Sequence, residues 1–213
     1  MYISLVIQLL YTDIRQISEQ RFDEELAQLP PAMRADIERY RFMKDRKCRL
    51  AGRVMIREHL RRQNVAVDLR QWQIDHNKKP FLPRAPYFNI SHSGHLVLLA
   101  IAPHGIGVDI EREGTIDSQA IVHFFHPSEI EYYHAATDPQ SAFFNIWVRK
   151  EAFLKAVGTG IVEGLDTVSV LDDVVRYHGQ QWYLHKIDRW AAYQSALCSP
   201  QPVAGWWWKP FFW

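Results

Sequence analysis

The chain has 213 residues, enough for one large domain or two small ones, and its 47% hydrophobic and 23% charged residues are the proportions of an ordinary globular protein. A formal net charge of +1 excludes any global pull toward nucleic acid or a membrane surface. Two cysteines, Cys48 and Cys198, offer neither metal spacing nor a disulfide framework, which fits a reducing compartment.

The opening MYISLVIQLLYTD is apolar, but it lacks a basic start and a small-residue cleavage site and is too short to span a bilayer. Residues 3–10 are therefore expected to form a buried strand, and the protein is expected to be cytoplasmic. Helices are predicted over 31–43 and 45–63. Residues 34–62 hold eleven Lys/Arg against four Asp/Glu, about +7 in a chain of +1. On the second helix Arg46, Arg49, Arg53 and Arg57 fall on one face, with Cys48, Ala51, Gly52, Met55 and His59 opposite as a packing stripe. Guanidinium groups in such a row can fork onto phosphate oxygens; a solvated helix face explains them equally well.

A strand is expected over 71–75, followed by HNKKPFLPRAP, whose three prolines forbid regular structure. Lys79, held extended before Pro80, can aim its ammonium at an anion, although a surface loop is the plainer reading. Strands follow over 87–91 and 96–101. Between them FNISHSGH brings Ser91, His92 and the backbone near Gly94 to a turn, where hydroxyls and amides suit a phosphate or simply close a hairpin. A Ser–His nucleophile pair is discounted, because adjacent strand residues point apart and no nucleophile elbow is present.

After the break at PHG, IGVDIE reads as a strand over 106–111. Val108 and Ile110 face a core, while Gly107, Asp109 and Glu111 share the other face. Buried paired carboxylates need a cation or donors between them. Helices are expected over 118–125, 128–136 and 141–157. In WVRKEAFLKAVGTG, Trp147, Glu151 and Lys155 lie on one stripe, and Gly158 and Gly160 end the helix. Glu before Lys at i, i+4 also makes an ordinary helix ion pair worth roughly 0.2–0.5 kcal/mol. No Walker-type loop is present. Strands over 166–171, 174–178, 181–187 and 193–198 complete the chain, with the tail GWWWKPFFW expected to cover the second half's sheet.

The mixed order of strands and helices favours an α+β fold. A strand–helix–strands order on each side of Pro103 predicts two similar halves, 1–103 and 104–213, with an interface between them. If the strand at 106–111 packs on the helix at 141–157, Asp109, Glu111, Glu151 and Lys155 can meet, and three carboxylates suit Mg²⁺ acting on a phosphate.

FNISHSG, IGVDIE and WVRKEAFLKAVGTGI, in this order and spacing, closely resemble the 4′-phosphopantetheinyl transferases of the Sfp type. The resemblance extends to KDRKCRLAGR, KKPF and FFHPSE and runs from about residue 30 to 197. It implies a pseudo-dimer of two α+β halves with the active site in the cleft between them. It also implies Mg²⁺-dependent transfer of phosphopantetheine from coenzyme A to a serine of an apo acyl, peptidyl or aryl carrier protein, releasing adenosine 3′,5′-bisphosphate. By position, Asp109, Glu111 and Glu151 match the family's Mg²⁺ ligands, with Mn²⁺ as an alternative ion. Glu151 also matches the general base, and Lys155 the lysine that neutralises the pyrophosphate. Lys79, Ser91 and His92 match coenzyme A contacts, as does Arg46 or Arg49 beside Cys48, which stands where many relatives carry arginine. The match is poor around Met33 and Asp36.

Acidic helical carriers are the expected partners, docking near residues 112–128 with Ile116, Ile121 and Phe124; no nucleic acid or membrane partner is expected, and a monomer suffices. The competing readings are a Mg²⁺-dependent phosphohydrolase acting on coenzyme A or nucleotides through the same carboxylates, and a non-catalytic module that binds coenzyme A or carriers.

Overall fold

The computed structural model describes residues 6–66, 68–77, 79–114, 116–159 and 165–213. The expected strand residues 3–5 and the capping Gly160 lie outside them. The chain divides into two compact units, 1–103 with 206–213, and 104–205.

The first unit is a four-stranded sheet of order β10-β1-β5-β4, formed by Trp206–Pro210, Ile7–Asp13, Leu96–Ala102 and Tyr87–Ser93. The sequence LVLLAIA of β5 is buried at all seven positions, as suits an interior strand. Helices α1 (Glu19–Ala27), α2 (Pro31–Glu38) and α3 (Met43–Arg62) accompany it, and α3 packs on β5. The packing stripe expected on α3 is confirmed, with Cys48, Ala51, Gly52, Met55 and His59 all buried. The helix expected over 31–43 stops at Glu38, and α1 was not foreseen. A second, two-stranded sheet pairs β2 (Gln73–Ile74) with β3 (Pro80–Phe81), so one short strand does form within the proline-rich stretch. Pro80 tolerates this because a two-residue edge strand asks little of its missing N–H.

The aromatic tail belongs here, not over the second sheet. β10 pairs in parallel with β1, from Ile7 opposite Trp206 to Tyr11 opposite Pro210. The Phe211 N–H then donates to the Tyr11 carbonyl at 2.8 Å, Phe211 enters the core, and the Trp213 indole N–H donates to Thr12 at 2.9 Å. The open edge of β1 offered ladder hydrogen bonds to this segment.

His59 is buried near this tail, and its pKa is pushed down to about 4 by burial first, then by Lys209 and Arg62. A histidine held below its unfolded value of 6.5 contributes stability that is present above that pH and lost as the pH falls toward 4. Acid denaturation is expected to draw about 2 kcal/mol from this group over that window, and His59→Gln to flatten the loss; an unchanged acid limb in the variant contradicts this.

The second unit is a four-stranded antiparallel sheet of order β6-β9-β8-β7, formed by Gly107–Arg112, Tyr193–Ser199, Gln180–Lys186 and Val174–Tyr177. The short α4 (Gln119–Val122), α5 (Pro127–Ala135) and the long α6 (Pro139–Val157) complete it, with α6 lying on β6 and β9. The strand expected over 166–171 is absent. Side chains hold that segment instead: Val170 N–H donates to Glu129 Oε1 at 2.8 Å, Lys150 Nζ donates to the Val168 carbonyl at 2.8 Å, and Arg149 Nε donates to the Val170 carbonyl at 2.5 Å. Both cysteines are buried and neither forms a disulfide, and among the described residues no helix is long and apolar enough to cross a membrane.

Candidate active site

In the second unit the site forms where α6 crosses β6. Asp138 caps α6, accepting from Ser141 N–H at 3.1 Å, and Pro139 opens the first turn. Gly158, at φ 83°, closes the helix in the left-handed conformation. Val108 and Ile110 are fully buried, whereas Gly107 and Asp109 meet α6. Lys155 Nζ donates to Asp109 Oδ1 at 2.5 Å, so the helix-to-strand convergence expected from the two motifs is present. One turn earlier, Glu151 holds its Oε1 buried with no hydrogen-bond partner among the described residues. Burial raises the Glu151 pKa above 4.5; Lys155 pulls it down, and the charges of Asp109 and Glu111 push it up again.

Neighbouring groups brace this crossing. Trp147 stacks on Phe143 with centroids 5.9 Å apart. Behind it Glu129 and Lys150, both buried, pair at 2.7 Å. Burying two charges is costly, and the cost is offset here because each also has backbone partners.

Whether these residues suit a divalent cation can be judged from their chemistry. A buried, unpartnered carboxylate oxygen repelled by two further carboxylates is the environment that a hard cation relieves. Among the described residues no three His, Cys, Asp or Glu side chains are gathered closely enough to form a ready cage. The ammonium of Lys155 serves Asp109 as a counter-charge in this arrangement. The donor set fits the ion; the cage is not closed.

The first unit contains a cavity of about 880 Å³. Its wall carries Arg39, Arg49, Arg53 and Arg70, the aromatic rings of Tyr40 and Trp72, and His92. Of the residues expected to contact coenzyme A, Arg49 and His92 reach this wall, with Arg49 lying 3.9 Å over the Tyr40 ring. Arg46 does not; its Nε donates to the Tyr40 carbonyl at 2.6 Å. Lys79 adjoins the lining residue Pro80, and its backbone N–H donates to Asp75 at 2.8 Å. Ser91 is buried, on the opposite face of β4 from His92 and Ile90.

The arginine row of α3 is mostly spent internally. Arg57 pairs with Glu25 at 2.5 Å, and Arg53 pairs with Asp36. Tyr40, Trp72, Arg39 and Arg70 escaped the sequence reading, because they come from a helix end and a 3₁₀ turn with no periodic signal.

Comparison with known proteins bears directly on these two units. The model of the 4′-phosphopantetheinyl transferase superfamily matches residues 105–198, and that of the 4′-phosphopantetheinyl transferase N-terminal region matches residues 16–104. The 4′-phosphopantetheinyl transferase psf-1 of Bacillus pumilus is 31% identical over 210 residues, covering 90% of this chain and 89% of that protein. The 4′-phosphopantetheinyl transferase Sfp of Bacillus subtilis is 30% identical, covering 76% of this chain and 74% of that protein. The 4′-phosphopantetheinyl transferase gsp of Aneurinibacillus migulanus is 36% identical over 126 residues, 58% of this chain and 53% of that protein. With both halves matched and relatives covered over most of their length, the chain belongs to the Sfp-type 4′-phosphopantetheinyl transferases, enzymes that activate carrier proteins.

Proposed function

We propose that this transferase moves phosphopantetheine from coenzyme A to a carrier serine using Asp109, Glu111, Glu151 and Lys155. The observation that carries this reading is the 2.5 Å Lys155–Asp109 contact beside the charge-repelled Glu151 carboxylate, whose buried Oε1 has no partner among the described residues. Asp109, Glu111 and Glu151 would hold Mg²⁺, or Mn²⁺ in its place. When bound, the ion supplies charge neutralisation at the coenzyme's pyrophosphate. Glu151 accepts the proton of the carrier serine hydroxyl, directly or through one water. The serine oxygen bonds to the phosphorus that bears the pantetheine. The bond from that phosphorus to the bridging oxygen breaks, and adenosine 3′,5′-bisphosphate departs with the electron pair. Lys155 faces the charge that grows on this leaving group. Such a reaction depends on positioning and charge more than on covalent help.

The adenosine end of coenzyme A carries a phosphate monoester remote from the breaking bond. The first unit's cavity offers cations for that phosphate and aromatic faces for the base, with Arg49 and His92 as contacts and Lys79 beside the lining Pro80; Ser91, on the other face of β4, would serve through its backbone. Among the wall's arginines, Arg49 is the one without a carboxylate partner among the described residues.

The test is intact-mass spectrometry of an apo carrier protein incubated with this enzyme, coenzyme A and Mg²⁺. A gain of one phosphopantetheine, lost with EDTA, is expected. Phosphate release from coenzyme A without a carrier would instead support the hydrolase reading. Carrier docking is assigned to Ile116, Ile121 and Phe124; Phe124 is 57% exposed and Ile116 38% exposed, as a contact surface requires. Phe124→Ala is expected to lower kcat/KM for the carrier about tenfold with coenzyme A affinity unchanged, measured by titrating each substrate separately.

A further inference from the structure

We infer that Asp36 sets the specificity of the arginine-walled cavity, acting as a built-in anion that competes with the ligand's phosphate for Arg39 and Arg53. Asp36 Oδ1 lies 3.0 Å from Arg39 Nη2, and Asp36 Oδ2 accepts from Arg53 Nη2. All three residues line the cavity. Arg53 is nine-tenths buried, donates through Nη1 to the Arg49 carbonyl at 3.0 Å, and keeps its Nε buried with no partner among the described residues. It also stands 5.7 Å from the Trp72 ring centroid. Arg70 is held by Asp68 at 2.8 Å. Two of the four wall guanidiniums are thus tied to one carboxylate inside the cavity and a third to a carboxylate beside it, which leaves Arg49 to meet an anion.

The consequence concerns discrimination. A phosphate monoester entering the cavity gains from Arg49 and is repelled by Asp36 at short range. Arg39 is 65% exposed and its pairing with Asp36 is weak, so it swings to a ligand once Asp36 is neutral. Asp36 therefore holds down the enzyme's preference for coenzyme A over its 3′-dephospho form, whose adenosine end carries no such charge. This inference rests on the cavity being the coenzyme's adenosine site.

The test is calorimetric binding of coenzyme A and of 3′-dephospho-coenzyme A to the full-length protein at low and high salt. Asp36→Asn keeps an acceptor for Arg53 and is expected to tighten coenzyme A about three- to tenfold, with less than about twofold change for the dephospho form. Salt is expected to shrink the gain. Asp36→Glu, which keeps the charge, is expected to bind both ligands like the wild type. Arg39→Ala is expected to matter about threefold in the Asp36→Asn background and little in the wild type. Equal tightening of both ligands, no tightening, or tightening in Asp36→Glu overturns the inference. Arg49→Ala separates the two levels. If it weakens coenzyme A selectively while Asp36→Asn has no effect, only the role of Asp36 falls. If it changes nothing, the cavity is not the adenosine site and both fall.

Discussion

Glu151→Gln is expected to lower the transfer rate about a thousandfold or more while the metal-free protein becomes more heat-stable. The two effects share one cause. Glu151 is partly buried with its Oε1 shut off from solvent, and this burial, with the charges of Asp109 and Glu111, raises its pKa above 4.5 against the pull of Lys155. A carboxyl raised in the folded state contributes stability below its unfolded value and loses it as the pH rises through the folded one. At pH 7 the wild type therefore holds a charge that the fold disfavours, and glutamine removes it. A gain on the order of 1 kcal/mol, or about 2–4 °C in Tm for a chain of this length, is expected. The gap should close on acidification, as the wild-type carboxyl takes up its proton. Added Mg²⁺ should stabilise the wild type more than the variant, because the variant lacks the charge that the ion relieves. Calorimetric scans at pH 4, 5.5 and 7, with and without Mg²⁺, read all of this. A variant less stable than the wild type at pH 7 would show that Glu151 has a structural partner, and near-normal turnover would remove it from both proposed roles.

The amphipathic elements were legible in the sequence. α6 and strands β4, β5 and β6 appear within one to two residues of their expected ends, because long apolar periodicity and two faces of unequal polarity leave little choice. The Asp109–Lys155 contact was legible for the same reason, since each residue's face follows from its own element. Elements set by distant side chains were hidden. DTVSVL at 166–171 reads as a strand, yet Glu129, Arg149 and Lys150 take the backbone bonds that a neighbouring strand would have used. α1 was missed although Ser18 caps it, accepting from Arg21 N–H at 3.1 Å, and Phe22, Leu26 and Leu29 supply a helical stripe. The row of arginines on α3 was visible, but its division between Arg49, with no carboxylate partner among the described residues, and the ion-paired Arg53 and Arg57 depends on Asp36 and Glu25, which lie 17 residues from Arg53 and 32 from Arg57 in sequence. The tail failed for a topological reason: nothing local in GWWWKPFFW says that its ladder partner is the first strand of the chain.

Gly107→Ala is expected to cost the fold more stability than any charge removal at the site. A Cβ at Gly107 would overlap the Ala152 carbonyl and crowd the Ala156 amide, both backbone atoms of α6. Backbone cannot rotate away as a side-chain tip does, so α6 must lift from β6. Both elements are continuous, and lifting the helix separates Lys155 from Asp109, now 2.5 Å apart, and shifts Glu151 with it. Overpacking of this kind costs about 3 kcal/mol or more, which in a unit of roughly a hundred residues is a Tm loss on the order of 10–20 °C. Transfer should fall about a hundredfold in whatever folds, since misplacement by an ångström is enough for that. Gly105→Ala supplies the control two residues earlier, where a Cβ would meet only the Ala156 carbonyl at 3.8 Å, an ordinary contact. That variant should match the wild type within about 0.5 kcal/mol. If Gly107→Ala were equally mild, the helix would not be seated on the strand as described, and the Lys155–Asp109 pair could not be the fixed point about which the proposed chemistry is arranged. The glycine thus carries a functional constraint without any chemistry of its own: it sets the distance at which a strand carboxylate and a helix ammonium can meet.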